Sequence, residues 1–136
     1  MHDTQLMLAF ADENMMDKML ATGVRVYVPE MSGYSDEFDR MINKDDMMSV
    51  PPDDVIDPLT GELTMPGMKN YGGGDVDATY RLAKALDPIL RRDQKQYQCY
   101  RKIQFPALLT FARVAERYGI MIDQDHLDAL GVEIAR

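Results

Sequence analysis

The chain has 136 residues, of which 46% are apolar and 28% charged, a balance that fits one soluble domain and excludes wholesale disorder. No run approaches the ~18 apolar residues of a membrane span, and the start, MHDTQLMLAF, lacks the basic region and small-residue cleavage site of a signal peptide. The net charge of −8 is uneven: residues 1–66 carry 14 acids and 4 bases, whereas residues 67–136 carry 9 and 11, so neither half has the Lys/Arg-rich face of a free-standing nucleic-acid binder.

Asp3 or Thr4 can cap a short helix through Phe10, with Leu6, Met7 and Phe10 at helical spacing. A second helix is expected from Asp12 to Thr22, stopped by Gly23. Val24, Val26 and Val28 alternate with Arg25 and Tyr27 and predict an extended stretch. A helix from Ser35 to Ile42 follows. Residues 44–67, with Pro51, Pro52, Pro58 and Pro66 and a turn at Leu59–Glu62, read as a long loop, a feature usually tied to function or to another surface.

The second half is more regular. Ala78, Leu82, Ala85, Leu86, Ile89 and Leu90 fall on one helix face, with Pro88 expected to bend or loosen its last turn. Tyr97, Tyr100, Ile103, Ala107, Phe111, Val114 and Tyr118 define a longer amphipathic helix, kinked near Pro106 and closed by Gly119. Ile120–Ile122 reads as a short extended run, and Asp123 caps a final turn through Leu130, closed by Gly131. The fold class is therefore mainly α, with at most two short strands. Cys99 is the only cysteine, so no internal disulfide forms, and a half-buried apolar role suits it. The twelve methionines suit adaptable core packing or a surface covered by another chain. His2 and His126 lie at opposite ends without metal-ligand spacing, and Gly72–Gly74 lack the Gly-Lys-Ser/Thr ending of a phosphate loop.

The stretch that carries chemistry is Tyr71-Gly72-Gly73-Gly74-Asp75-Val76-Asp77-Ala78-Thr79-Tyr80-Arg81-Leu82. Tyr71 and Asp75 are four apart and share a face if the segment is helical. The three glycines argue against a well-formed helix before Asp75, because each costs about 1 kcal/mol relative to Ala. They also permit close approach of another group. On its own the segment also fits a capped helix start with a solvated Asp75.

Tyr-x-x-x-Asp, followed by Asp77, Thr79 and Leu82, resembles the third exonuclease motif of family A DNA polymerases, the bacterial polymerase I type. The likeness continues through Pro88, Ile103-Gln104-Phe105-Pro106-Ala107-Leu108, Tyr118-Gly119-Ile120-Met121-Ile122-Asp123 and Leu127. Upstream, Asp3-Thr4-Gln5-Leu6-Met7 and Asp12-Glu13-Asn14 are similar to segments of phage members, and Pro29–Tyr34 adds a weaker match. The resemblance spans about residues 2–130 and is strongest over 71–130.

The resemblance implies the helical C-terminal portion of an α/β, RNase H-like 3′–5′ proofreading domain over residues 1–118, with 119–136 leading toward a polymerase thumb. It implies that Asp75 ligates one of two catalytic Mg²⁺ or Mn²⁺ ions and that Tyr71 orients the attacking water on a single-stranded DNA 3′ end. Asp77 is expected to be solvated or capping, and Asp3 structural. The first exonuclease motif, Asp-x-Glu, does not occur in the chain, and the second would lie before Met1. Three of the four metal carboxylates of the family are thus outside these residues, as are the polymerase motifs and most of the central sheet. The expectation is a fragment or split subunit of a DNA-directed DNA polymerase, inactive alone, paired with a complementing polypeptide in a cytoplasm (the host's, if the source is a phage), with bare apolar helix faces. The alternative is a small acidic helical accessory protein, of the kind phages use, acting by interaction without catalysis.

Overall fold

A computed structural model of the chain describes residues 2–119 and 121–134. Among the described residues, seven α-helices and one two-stranded ribbon make up most of the regular structure: α1 Thr4–Ala11, α2 Leu20–Tyr27, α3 Asp36–Met41, β1 Val55–Ile56, β2 Leu63–Met65, α4 Met68–Leu90, α5 Gln94–Cys99, α6 Phe105–Tyr118 and α7 Gln124–Ile134. Short 3₁₀ turns occupy Pro29–Met31 and Lys44–Ser49. The architecture is mainly helical. None of the described helices is long and apolar enough to cross a membrane.

Asp3 caps α1, its carboxylate accepting from the Leu6 amide at 2.7 Å. The helix expected over 12–22 does not form. Asp12 ends α1, and its side chain accepts from the Asn14 amide at 3.0 Å, while Asp17 accepts from the Met19 amide at 2.8 Å and from the Thr22 hydroxyl. These local side-chain bonds give the backbone an alternative to helix, and α2 begins only at Leu20.

The extended stretch expected at 24–28 is helical as far as Tyr27, and Val28 caps the helix. In a strand Val24, Val26 and Val28 would share a face. Here Val24 and Val28, one turn apart, are 1% and 3% exposed, and Val26 between them is 55% exposed. Gly23 does not stop a helix but lies inside α2 at its contact with α1 and α4. A Cβ there would sit 2.7 Å from Leu8 Cδ1 and 2.9 Å from Leu82 Cδ2.

α4 is the longest helix and the axis of the core. Ala78, Leu82, Leu86 and Leu90, four apart, are fully buried against Met7 and Leu8 of α1, Val24 of α2 and Val28, the residue that caps α2. Tyr100 and Phe105 close the end of this cluster. The amphipathic pattern expected for 97–118 resolves into three pieces. A π-helical segment, Tyr100–Gln104, joins α5 to α6, and the Phe105 amide donates to the Tyr100 carbonyl. Pro106 has no amide to continue the ladder, and the π-helical segment just before it carries the backbone into α6. Gly119 ends α6 with φ +72°.

Residues 44–67 are not a plain loop: they hold the second 3₁₀ turn and the ribbon, with β1 antiparallel to β2 and Gly61 at φ +73° in the turn between them. The two strands thus lie within the stretch read as a loop and flank the turn expected at Leu59–Glu62. α7 runs past Gly131 to Ile134, because a glycine inside a helix costs only about 1 kcal/mol and need not end it. Of the run expected at 120–122, Ile120 lies outside the described residues, and Met121 and Ile122 join no strand.

Beyond Phe105 and Leu109 the apolar stripe of α6 is bare, with Phe111 75% and Tyr118 74% exposed, and Leu127, Leu130 and Ile134 of α7 are exposed as well. The accessible surface is 10337 Å². A compact monomer of this mass would show roughly 7,200 Å². The difference, roughly 3,000 Å², goes with the uncovered faces of α6 and α7.

Candidate functional site

The site is built on the first three turns of α4. The helix starts at Met68 and runs through all three glycines, contrary to the expectation from composition. Its opening is held from outside. The Met68 and Lys69 amides donate to the Pro51 and Pro52 carbonyls, each at 2.9 Å, so two of the unpaired amides of a helix start are satisfied by the preceding segment. Asp54 accepts from the Gly67 amide and from the Asn70 side chain, both at 2.6 Å. Gly67 allows this approach, since a Cβ would fall 2.4 Å from the Asp53 carbonyl carbon. Anchored at its start by this clamp and after Asp75 by the core, the backbone of 72–74 has little freedom left, and tertiary contact overrides the low propensity.

Helical geometry places Tyr71 and Asp75 on one face, one turn apart. Both are half-buried. The Tyr71 ring stacks on Phe38 of α3, with centroids 4.0 Å apart and planes 20° apart. Asp75 Oδ1 accepts a hydrogen bond from the Tyr34 hydroxyl at 2.6 Å. Burial, then this bond and the negative charge of Asp75, push the Tyr34 hydroxyl well above the usual tyrosine range. Gly74 makes room for the ring: a Cβ there would lie 3.0 Å from Tyr34 Cδ2.

Tyr34, Phe38, Asn70 and Tyr71 line an open cleft of about 140 Å³, with Asp54 and Leu63 from the preceding segment. Asp75 sits one turn along from this lining. A larger open hollow, about 500 Å³, lies among residues 9–14 and Gln96 and includes neither site residue. Asp77 accepts from Arg81 Nε at 3.0 Å through both oxygens, in keeping with a structural role. Asp3 is the cap of α1 described above.

The described residues by themselves do not fit a catalytic cation pair. Among the described residues no three His, Cys, Asp or Glu side chains converge on one point. Hard divalent cations need several converging oxygens, and the Asp75 carboxylate already has one oxygen engaged by a phenol.

The expected residues Tyr71 and Asp75 are thus brought together, while Tyr34 and Phe38, which hold them, had been given no role. Gly33-Tyr34 stood at the end of the weakly matching segment 29–34, and the one signal for it was Gly74, a small residue where another group approaches closely. No protein-family model, no curated protein and no solved structure matches this chain.

Proposed function

We propose that the chain is the helical portion of a 3′–5′ proofreading exonuclease domain of the family A DNA polymerase type. It contributes Tyr71 and Asp75 to a site whose other carboxylates lie on polypeptide outside these residues. The observation that carries this reading is the pairing of Tyr71 and Asp75 on one face of α4, each held by its own aromatic contact. The uncovered area of α6 and α7 supports the same reading, because a piece of a larger assembly leaves its packing faces bare.

In this assignment Asp75 supplies a fixed anionic oxygen and Tyr71 a phenol beside it, at the place where the 3′-terminal phosphodiester of single-stranded DNA is cut. Mg²⁺ or Mn²⁺ would be the cations of the completed site, with the remaining oxygen ligands coming from the complementing polypeptide. Nothing in the role given to this chain's residues requires a cation to bind to it alone.

The test is reconstitution. The chain is mixed with a polypeptide bearing the Asp-x-Glu motif and the second exonuclease motif, and nucleotide release from 3′-labelled single-stranded DNA is followed in Mg²⁺ or Mn²⁺. The mixture is expected to release nucleotides, and Asp75→Ala to reduce the rate by about a hundredfold or more, the scale of losing one group that stabilises transition-state charge. Activity that survives Asp75→Ala removes the assignment. Binding of the two polypeptides without any nuclease activity favours a non-catalytic interaction protein, a reading to which the bare α6 stripe would then belong.

A further inference from the structure

We propose that Tyr34 and Phe38 are positioning residues for the site, acting as a two-point grip that fixes the side chains of Asp75 and Tyr71. The inference rests on the assignment of those two residues under the proposed function, and it adds a second layer that no motif in the chain announces.

The geometry is a match of two spacings. Tyr71 and Asp75 are separated by one turn of α4, and Tyr34, in the turn before α3, and Phe38, within α3, are the same four residues apart. The pairs meet in opposite order: Tyr34 reaches Asp75 and Phe38 reaches Tyr71. One short segment, the turn leading into α3, therefore holds both groups at once.

That turn is itself braced. Gly33 at φ +82° reverses the chain before Tyr34, a conformation that favours glycine. Buried Ser35 donates to Asp39 Oδ2 at 2.8 Å across the first turn of α3. Phe38 is buried, outside the main core cluster, with Tyr71 as its stacking partner.

The three glycines are then not equivalent. Open space surrounds Gly72 and Gly73, whereas Gly74 faces the Tyr34 ring. A glycine next to Asp75 lets the phenol lie flat enough on α4 to bond the carboxylate one residue on. Of the two contacts, the hydroxyl of Tyr34 is the part that packing alone does not require. A phenylalanine would fill the same space on Gly74 and leave Asp75 unheld.

The experiment uses the isolated chain. Three-bond couplings from the Asp75 side-chain carboxyl carbon to its own backbone nitrogen and carbonyl carbon report whether the side chain keeps one rotamer. Wild type is expected to show single-rotamer values and Tyr34→Phe averaged ones, with the dispersion of the amide spectrum unchanged elsewhere. Should Tyr34→Phe unfold the chain, Gly74→Ala displaces the ring by steric contact and reads the same couplings. Averaged couplings in wild type, or couplings unmoved in the variants, overturn the proposal.

In the reconstituted nuclease, Tyr34→Phe is expected to lower kcat roughly ten- to a hundredfold, the scale of a small misplacement of a reacting group, with KM for DNA unchanged. A rise in KM at constant kcat would contradict positioning. The two readings fail separately. Averaged couplings in Tyr34→Phe together with full activity in Asp75→Ala keep the grip and reject the nuclease. Loss of activity in Asp75→Ala with couplings unmoved in Tyr34→Phe does the reverse.

Discussion

Replacing Gly73 by Ala and by Pro gives opposite and sizeable effects if α4 runs through the glycine stretch. Gly73 lies at the sixth position of the helix, its φ is not positive, and a Cβ there would meet nothing within 4 Å. Alanine therefore adds no clash and recovers the helix-propensity difference of about 1 kcal/mol. Proline removes an i→i−4 hydrogen bond and collides with the preceding turn, at about 3 kcal/mol or more. The two variants should differ by about 4 kcal/mol, with Gly73→Ala melting roughly 3–6 °C above wild type. Urea denaturation followed by circular dichroism at 222 nm measures both, and Gly73→Ala should gain helical signal. Two glycines in the same region provide controls. Gly67→Ala should destabilise, because its Cβ would fall 2.4 Å from the Asp53 carbonyl carbon, a backbone atom that cannot step aside. Gly74→Ala should fall between, its helix gain offset by the Tyr34 ring at 3.0 Å. Equal stabilities for Gly73→Ala and Gly73→Pro would refute the argument, since a loop tolerates both.

Leu82→Ala should cost about 2–5 kcal/mol in the same urea assay, because Leu82 is fully buried on α4 against α1 and α2 and its loss opens a cavity. Phe111→Ser should change stability by no more than about 0.5 kcal/mol, because the ring is three-quarters exposed, and it should lower binding of a hydrophobic dye such as ANS. A large stability loss would show that α6 is covered within the chain after all. Burial pushes the hydroxyl of Tyr100 above the usual tyrosine range. A raised folded-state pKa favours the neutral form, so this contribution is complete below about pH 10, the unfolded value, and is lost as the pH rises through the folded one. Stability should therefore drop in alkali, with Tyr34 and Tyr27, whose hydroxyls are also raised, contributing, and Tyr100→Phe should remove its own part of that drop. An unchanged alkaline limb in Tyr100→Phe would assign the effect elsewhere.

The helices were legible where the sequence repeats with one period and nothing competes with it. Leu82, Leu86 and Leu90 had only one helical face to occupy, and Asp3 and Gly119 marked ends that the structure keeps. The failures have local causes. Three valines at alternate positions suggest a strand, but the same residues offer a one-turn pair, Val24 and Val28, and the helix uses that pair. Gly23 looked like a stop signal and is a contact point, which depends on the positions of Leu8 and Leu82 far away in sequence. Gly72–Gly74 looked like a break and are helical, because the bonds that satisfy the helix start come from Pro51, Pro52 and Asp54.

The candidate site shows the same division between local and distant information. Tyr71 and Asp75 are four residues apart, so one helical turn suffices to unite them, and their spacing could be read directly. Tyr34 reaches Asp75 across 41 residues of sequence. No periodicity reports a contact of that separation, and it becomes legible only as a missing side chain at Gly74. The same reasoning bears on what the chain lacks. One carboxylate and one phenol are a local motif, whereas a site able to cut a phosphodiester is a convergence of groups from distant segments. On the proposed reading those segments are the ones that would also cover the exposed stripe of α6. A complementing polypeptide that restores nuclease activity should therefore also quench the dye binding attributed to Phe111, and one that does only the first would separate the two surfaces.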